Sequence, residues 1–232
     1  MSAARSVTAP AKIRHRFRAS RSAGEVSALL TRPPDARWML VLAHGAGAGM
    51  EHPFMEALAV GLAAHGVASF RYQFPYTERG SKRPDPPALL EATVRSAVEA
   101  AASLAGPLPV FAGGKSMGGR MTSQAAAKEP LPGVGGIAFF GFPLHAIGKP
   151  GAERADHLND VDVPMLFLQG SRDRLARLDL LEPVIRRLGD RATLHVIQDA
   201  DHSFHVQARS GRTDAEVLAE LSRRTAEWAA ER

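Results

Sequence analysis

The chain has 232 residues, of which 45% are hydrophobic and 23% are charged, and its net charge at pH 7 is +5. This length suits one α/β domain and is short for two domains. The absence of cysteine excludes disulfides and thiolate metal sites, and no apolar run approaches the roughly 18 residues of a membrane span.

The positive charge is concentrated at the start of the chain. Residues 1–21 contain six Lys or Arg residues and no acid, so the rest of the chain is close to neutral. We therefore expect neither a nucleic-acid nor a membrane partner. The same segment lacks the apolar core of a signal peptide, which predicts a cytoplasmic protein.

The first predicted elements form an antiparallel strand pair. We expect a disordered start over residues 1–11 and a single domain over residues 12–232. Strands are predicted at Ile13–Ala19 and Glu25–Leu30. In the first of them, four residues on one face alternate with arginines on the other: Ile13, His15, Phe17 and Ala19 against Arg14, Arg16 and Arg18. Arginines on an exposed first strand are typical of protection against edge aggregation, and a basic binding arm is the alternative.

The rest of the chain alternates strands with helices. Apolar runs predict buried strands at Trp38–Ala43, Val67–Tyr72, Val110–Ala112, Gly136–Phe140, Met165–Gln169 and Thr193–Ile197. Helical patterns cover Pro53–His65, Ala88–Leu104, Gly118–Lys128, Leu178–Leu188 and Thr213–Glu231, with a proline-rich loop at Gln73–Pro87. This alternation predicts an α/β fold with a mainly parallel sheet and helices on both faces.

Ligands of such sheets bind at the carboxyl ends of the strands, so the residues that directly follow each strand are the candidates for a site. One of these stretches, Gly114-Lys115-Ser116-Met117-Gly118, fits the pattern G-x-S-x-G. In this pattern a serine occupies a sharp turn between a buried strand and a helix, and the flanking glycines let the backbones approach. Ser116 is therefore the candidate nucleophile.

Asp173 and His202 also follow predicted strands, and the chain order Ser, Asp, His is typical of an α/β-hydrolase triad. A serine hydroxyl needs an imidazole to take its proton, and the imidazole needs a carboxylate to fix its tautomer. His205 is the alternative base, although it lies farther from the strand end. Asp199 and Asp201 flank the histidine and are interpreted as turn residues.

The chain resembles the α/β-hydrolases over nearly its whole length. Five stretches carry the more detailed resemblance: AHGAGAGMEHPFM, FRYQFPY, PDPP, GGKSMGGRM and DADHSF. They resemble in particular the small hydrolase-like group related to subunit 3 of the NSL histone-acetyltransferase complex and to a testis-expressed relative, whose bacterial members are often described as dienelactone-hydrolase-like. The resemblance implies Ser116 as nucleophile, Asp173 as acid and His202 as base, with the amides of Ala46 and Met117 as the oxyanion hole. Dienelactone hydrolases proper use a cysteine nucleophile, so their lactone substrate does not carry over.

The glycine loop after Ala43 gives further candidates for substrate contact. His44, Gly45, Gly47, His52 and Tyr72 are the candidates for lining the cleft. For three of them another role is favoured over contact with substrate: ordering of the loop for His44, helix capping for His52 and core or loop packing for Tyr72. Lys115 is interpreted as a packed or outward-pointing side chain. The other histidines show no metal-ligand spacing, so we expect no metal and no cofactor.

These features predict a serine hydrolase that acts on small or short-chain esters or thioesters, as a monomer or homodimer. The connection at residues 144–163 is too short and too poor in large apolar side chains to form a broad cap. A serine peptidase or amidase needs the same triad and is the alternative enzyme. A non-catalytic interaction domain with this fold is the alternative outside enzymes.

Overall fold

The computed structural model describes residues 10–232. Within them an eight-stranded sheet consists of β1 (Ala11–Ser20), β2 (Gly24–Arg32), β3 (Trp38–Ala43), β4 (Val67–Tyr72), β5 (Val110–Lys115), β6 (Val134–Phe140), β7 (Met165–Gly170) and β8 (Ala192–Ile197). The α-helices are α1 (Pro53–Ala64), α2 (Pro75–Glu78), α3 (Pro87–Ala105), α4 (Met117–Lys128), α5 (Leu178–Leu188) and α6 (Asp214–Ala230). Short 3₁₀ helices lie at Glu153–Asp160, Gly189–Arg191 and Ala208–Ser210. Of the start predicted to be disordered, residues 1–9 lie outside the described residues.

The strand order is β1-β2-β4-β3-β5-β6-β7-β8. β2 is antiparallel to both β1 and β4, and all the other pairs are parallel, as the sequence predicts. At the carboxyl end of the central strands, Ala43 pairs with Tyr72 on one side and with Gly114 on the other. This register places the glycine loop after β3 beside the turn after β5.

Helices cover both faces of the sheet. Buried side chains of α1 and α6 form one apolar cluster with one face, and those of α3, α4 and α5 form a second cluster with the other face. The amino end of α6 is closed by a capping box, in which Thr213 accepts from the Glu216 amide and Glu216 accepts from the Thr213 amide. The predicted two-faced α/β architecture is confirmed.

Strand β1 lies at an edge of the sheet, and its buried face is shorter than predicted. Phe17 and Ala19 are buried, and Ser96 of α3 donates to the Ala19 carbonyl at 3.1 Å. Ile13 is 47% exposed, so its predicted burial is wrong. The core packs against only the second half of the strand, which leaves Ile13 in solvent. Along the exposed part, Arg14 pairs with Glu51 at 2.6 Å.

Two connections contain helices that the sequence pattern does not predict. Helix α2 lies in the proline-rich stretch and starts at Pro75, a favoured first helical residue. The connection from β6 to β7 contains the 3₁₀ helix Glu153–Asp160, in which His157 Nε2 lies 2.8 Å from Ser123 Oγ of α4. This 3₁₀ helix packs beside α4 and forms no cap, as expected. Among residues 10–232, no helix is both long and apolar enough to cross a bilayer.

Candidate active site

Ser116 lies on a sharp turn between β5 and α4. Its φ and ψ are 51° and −116°, a conformation that costs a non-glycine residue about 1–3 kcal/mol. The Ser116 amide donates to the Phe140 carbonyl at 3.2 Å, which ties the turn to the end of β6. The predicted strand, turn and helix around the serine are confirmed.

Gly114 and Gly118 leave no room for side chains. A Cβ on Gly114 would lie 2.5 Å from the Ala43 carbonyl oxygen, and a Cβ on Gly118 would lie 2.6 Å from the carbonyl oxygens of Ala43 and His44. These contacts are shorter than real Cβ atoms make. Both glycines are therefore required for the turn to approach the end of β3.

We expect Gly118→Ala to lower the free energy of unfolding by about 2–3 kcal/mol, because the clash is with backbone atoms that cannot rotate away. Urea unfolding followed by circular dichroism measures this change. Gly47→Ala is the matched control, since a Cβ there has no heavy atom within 4 Å, and we expect a change below about 0.5 kcal/mol. Equal urea midpoints for the two variants would contradict the prediction.

The fold brings together the three side chains that follow β5, β7 and β8. His202 Nε2 lies 2.8 Å from Ser116 Oγ, and His202 Nδ1 lies 2.7 Å from Asp173 Oδ2. His202 is partly exposed, whereas the Asp173 side chain is fully buried. Because an ionised carboxylate accepts only, Nδ1 carries the proton and Nε2 is free to accept the serine proton.

Asp173 is held by donors on both carboxylate oxygens. The Leu175 amide donates to Oδ1 at 2.7 Å, and Gln169 Nε2 donates to Oδ2, which also faces His202. The two donors fix the orientation of the carboxylate. The arrangement therefore keeps an oriented acceptor beside the imidazole.

Lys115 anchors the loop that carries His202, a role that the sequence pattern does not indicate. Its Nζ donates to the His202 carbonyl at 2.6 Å and lies 5.4 Å from the ring centroid of Phe204 and 5.9 Å from that of Phe54. Burial lowers the pKa of Lys115 to about 8. Lys115 contacts the backbone of the histidine, so it acts as a positioning residue.

The alternative residues near His202 have other partners. His205 Nδ1 lies 2.9 Å from Asp214 Oδ2, and both side chains are exposed. Asp201 Oδ1 accepts from the amides of Ser203 and His205 at 2.8 and 3.0 Å, as expected of a turn residue. Neither His205 nor Asp201 takes part in the hydrogen bonds that link Ser116 to Asp173.

His44 is completely buried under the glycine loop, so its less favoured role as a cleft-lining residue is wrong. Its Nδ1 donates to the Gly45 carbonyl at 2.8 Å, and its Nε2 accepts from the Phe74 amide at 3.2 Å. Burial lowers the pKa of His44 to about 4, which keeps the ring neutral at physiological pH. His44 orders the loop, in agreement with the favoured interpretation.

The other residues expected to line the cleft fall into three places. Tyr72 is 1% exposed and packs against Phe74, in agreement with the favoured core packing. Its alternative role in contact with substrate is wrong, because the side chain turns into the core. Gly45 is buried beside Ser116. Gly47 and His52 line a neighbouring cavity of about 300 Å³, and His52 Nδ1 also accepts from the Phe54 amide at the start of α1.

Ser116 opens into a cleft of about 340 Å³. Both residues expected to form the oxyanion hole, Ala46 and Met117, line this cleft beside the serine. Tyr76 donates its hydroxyl to the Ala46 carbonyl at 3.0 Å and so fixes that peptide. The remaining wall comes from the α2–α3 connection, α3, α4 and the β6–β7 and β7–α5 connections: Pro84, Asp85, Pro87, Leu90, Arg120, Met121, Pro143, Arg154 and Leu175.

Within residues 10–232, no group of three or more His, Asp or Glu side chains is placed to hold a metal ion. The expected absence of a metal and of a cofactor stays a prediction.

Solved structures with this fold are similar over almost the full chain. A dienelactone hydrolase from Anabaena variabilis has 21% identity and a TM-score of 0.75, with 97% of this chain and 99% of that chain covered. The esterase domain of a Rhodothermus marinus protein has 15% identity and a TM-score of 0.71, covering 94% and 98%. An α/β serine hydrolase without a lid from Xanthomonas campestris has 18% identity and a TM-score of 0.67, covering 94% and 95%.

A family model described as alpha/beta hydrolase domain matches residues 36–230, which include every strand from β3 onward and all of the residues that surround Ser116. The chain therefore belongs to the alpha/beta hydrolase domain family.

Proposed function

We propose that the protein is a serine hydrolase that cleaves small or short-chain carboxylic esters or thioesters through an acyl-enzyme on Ser116. The observation that carries this proposal is the continuous pair of contacts from Ser116 Oγ to His202 at 2.8 Å and from His202 to Asp173 at 2.7 Å. A nucleophile, a base and the group that orients the base are thus within hydrogen-bond reach.

In the first half of the reaction, His202 Nε2 takes the proton of Ser116 as Oγ bonds to the ester carbonyl carbon. Asp173 stabilises the resulting imidazolium. The negative charge passes to the carbonyl oxygen, which the amides of Ala46 and Met117 receive. When the tetrahedral intermediate collapses, the ester C–O bond breaks and His202 gives its proton to the leaving alcohol or thiol.

In the second half, water takes the place of the alcohol. His202 removes a proton from the water, the hydroxide adds to the acyl carbon, and the bond to Ser116 Oγ breaks as His202 returns the proton to the serine. The products are a carboxylic acid and the free enzyme. Because the walls of the cleft are already in place beside Ser116, no closing element is needed for this chemistry.

The names of structurally similar proteins support an ester substrate. They include an esterase domain, a dienelactone hydrolase and a serine hydrolase without a lid. A serine peptidase or amidase would use the same three residues, and only hydrolysis of amide substrates at a rate comparable with esters would favour it. A non-catalytic domain is the other alternative, against which the intact serine, histidine and aspartate set is the evidence.

We expect kcat/KM for p-nitrophenyl esters to be highest from acetate to butyrate and to decline by octanoate. Burial of each methylene yields about 0.8 kcal/mol only where apolar walls enclose it. The β6–β7 connection, where a cap would lie, contains only one short 3₁₀ helix with two buried apolar side chains, Ala155 and Leu158. Assays of the acyl series at one pH measure this profile. A steady rise through dodecanoate would contradict an open site and would require another element to close over it.

The proposal extends to the relatives, location and partners of the protein. The motifs favour kinship with the group related to subunit 3 of the NSL complex. We further propose a cytoplasmic protein that acts as a monomer or homodimer on a small-molecule ester, with no nucleic-acid partner and no membrane association.

A further inference from the structure

Two arginines that line the cleft beside Ser116 have no acidic partner in the described part of the chain. Arg120 lies on α4 and Arg154 lies on the 3₁₀ helix of the β6–β7 connection. Among residues 10–232, neither side chain forms a salt bridge or a side-chain hydrogen bond, and the buried Nε of Arg120 has no partner. Because buried donors in folded proteins are usually hydrogen-bonded, the partnerless Nε of Arg120 beside a candidate nucleophile calls for a physical reason.

The charges around this pair leave it positive. Burial and the neighbouring charge of Arg154 both lower the pKa of Arg120, which remains protonated. His157 also lies close to Arg120, and its pKa is lowered to about 4, chiefly by burial, so it adds no positive charge at neutral pH. Asp85 is the one acid among the described residues of the cleft wall, and its Oδ1 already accepts from Arg79 at 2.6 Å.

Arg120 is close to the reacting group because of the helix geometry. It lies four residues after Ser116, and its amide donates to the Ser116 carbonyl at 3.2 Å. Ser116, Arg120 and Arg154 all line the same cleft of about 340 Å³. One small molecule can therefore contact both the guanidinium groups and the serine, and a planar guanidinium matches a carboxylate in a two-point hydrogen bond.

We propose that Arg120 and Arg154 form a subsite for a carboxylate carried by the substrate, so that the preferred esters are small and anionic. This inference rests on the proposed ester hydrolysis and specifies its substrate class. The carboxylate belongs to the same molecule as the scissile ester and lies on its acid or its alcohol part.

The test compares esters that differ only in this charge. Monomethyl glutarate and dimethyl glutarate place the charge on the acid part, and 4-acetoxybenzoate and its methyl ester place it on the alcohol part. We expect wild type to favour the charged member of at least one pair by about tenfold or more in kcat/KM, since charge-assisted hydrogen bonds are the strong ones. In an Arg120→Gln/Arg154→Gln double variant, the ratio of kcat/KM for the charged ester to kcat/KM for the neutral ester should fall at least tenfold.

Arg187→Gln is the matched control, because Arg187 is exposed on α5 away from the cleft, and it should keep the wild-type ratio. Absence of a preference in both pairs, or a preference that survives in the double variant, would overturn the subsite while leaving ester hydrolysis intact. Failure of the proposed function is a different result, namely no hydrolysis of any of the four esters beyond that of Ser116→Ala.

Binding without turnover tests the subsite separately. Calorimetry with glutarate and with benzoate should detect binding of at least one of them by wild type, and this binding should be lost in the double variant and weakened by 0.5 M NaCl, because salt screens partly exposed charges. Equal binding by the double variant would overturn the inference. Tighter binding of inorganic phosphate than of either carboxylate would also overturn it, since the anion would then be a phosphate.

Discussion

Replacement of Ser116 by alanine is expected to lower kcat/KM for p-nitrophenyl butyrate by about 10⁴-fold or more and to leave the folded structure intact. The loss follows because Ser116 Oγ is the atom proposed to form the acyl intermediate, and removal of one member of a triad disables the whole unit. The turn persists because it depends on the glycines on either side, not on the hydroxyl.

The measurement combines initial rates with thermal unfolding, and covalent labelling by a fluorophosphonate provides a second readout. Wild type should be labelled and Ser116→Ala should not. Ser103→Ala is the matched control, since Ser103 lies exposed on α3 and only donates to the Ala100 carbonyl of its own helix. Wild-type turnover by Ser116→Ala would reject the serine mechanism. A wild-type protein that neither reacts with the label nor hydrolyses an ester would favour the non-catalytic alternative.

Substitutions of His202 and Asp173 are also expected to cause large losses of activity. We expect His202→Ala to reduce activity about as much as Ser116→Ala, and Asp173→Asn to reduce it by about 10³–10⁴-fold. An asparagine at position 173 can turn its NH₂ group toward His202 Nδ1, which favours the tautomer whose Nε2 already carries a proton. That tautomer cannot accept the proton of Ser116.

Specificity constants for the single and double variants measure this effect, and the combined losses should be far from additive. His205→Ala is the matched control, because this side chain pairs with Asp214 at the surface. Activity in His202→Ala together with its loss in His205→Ala would reverse the choice of base. The wild-type rate should also fall toward acid pH, and His44, whose pKa is about 4, cannot account for a fall above about pH 5.

The central strands could be predicted from the sequence because they are buried on both faces. The runs at Trp38–Ala43 and Val67–Tyr72 match β3 and β4 at both ends. Strand β5 extends to Lys115, three residues beyond its predicted end, because Gly113, Gly114 and Lys115 pair with β6. The two glycines also pair with β3 on the other side. These residues have low strand propensity, so the sequence pattern did not include them. Tertiary pairing thus extended a strand that local preference would have ended.

The positions of Ser116, Asp173 and His202 at the ends of parallel strands could also be predicted, since the rule that sites lie after parallel strands needs only the order of elements. The lining of the cleft could not. Tyr72 and His44 follow or end strands in the same way as Asp173, and only packing across the sheet decides that their side chains are buried. Arg154 reaches the cleft from a 3₁₀ helix that has no periodic signal, so its position depends on contacts made by the complete fold.

The wide spacing of Ser116, Asp173 and His202 also bears on how the protein folds. His202 is 86 residues from the serine and 29 residues from the aspartate that it contacts. Parallel strand pairing between such distant segments closes large loops, which makes this topology slow to fold compared with a bundle of helices. Helices can regain their circular dichroism before these strands are in register. After dilution from denaturant, ester hydrolysis should therefore recover only when strands β5 to β8 have paired. This recovery is expected later than the return of the helical circular dichroism signal.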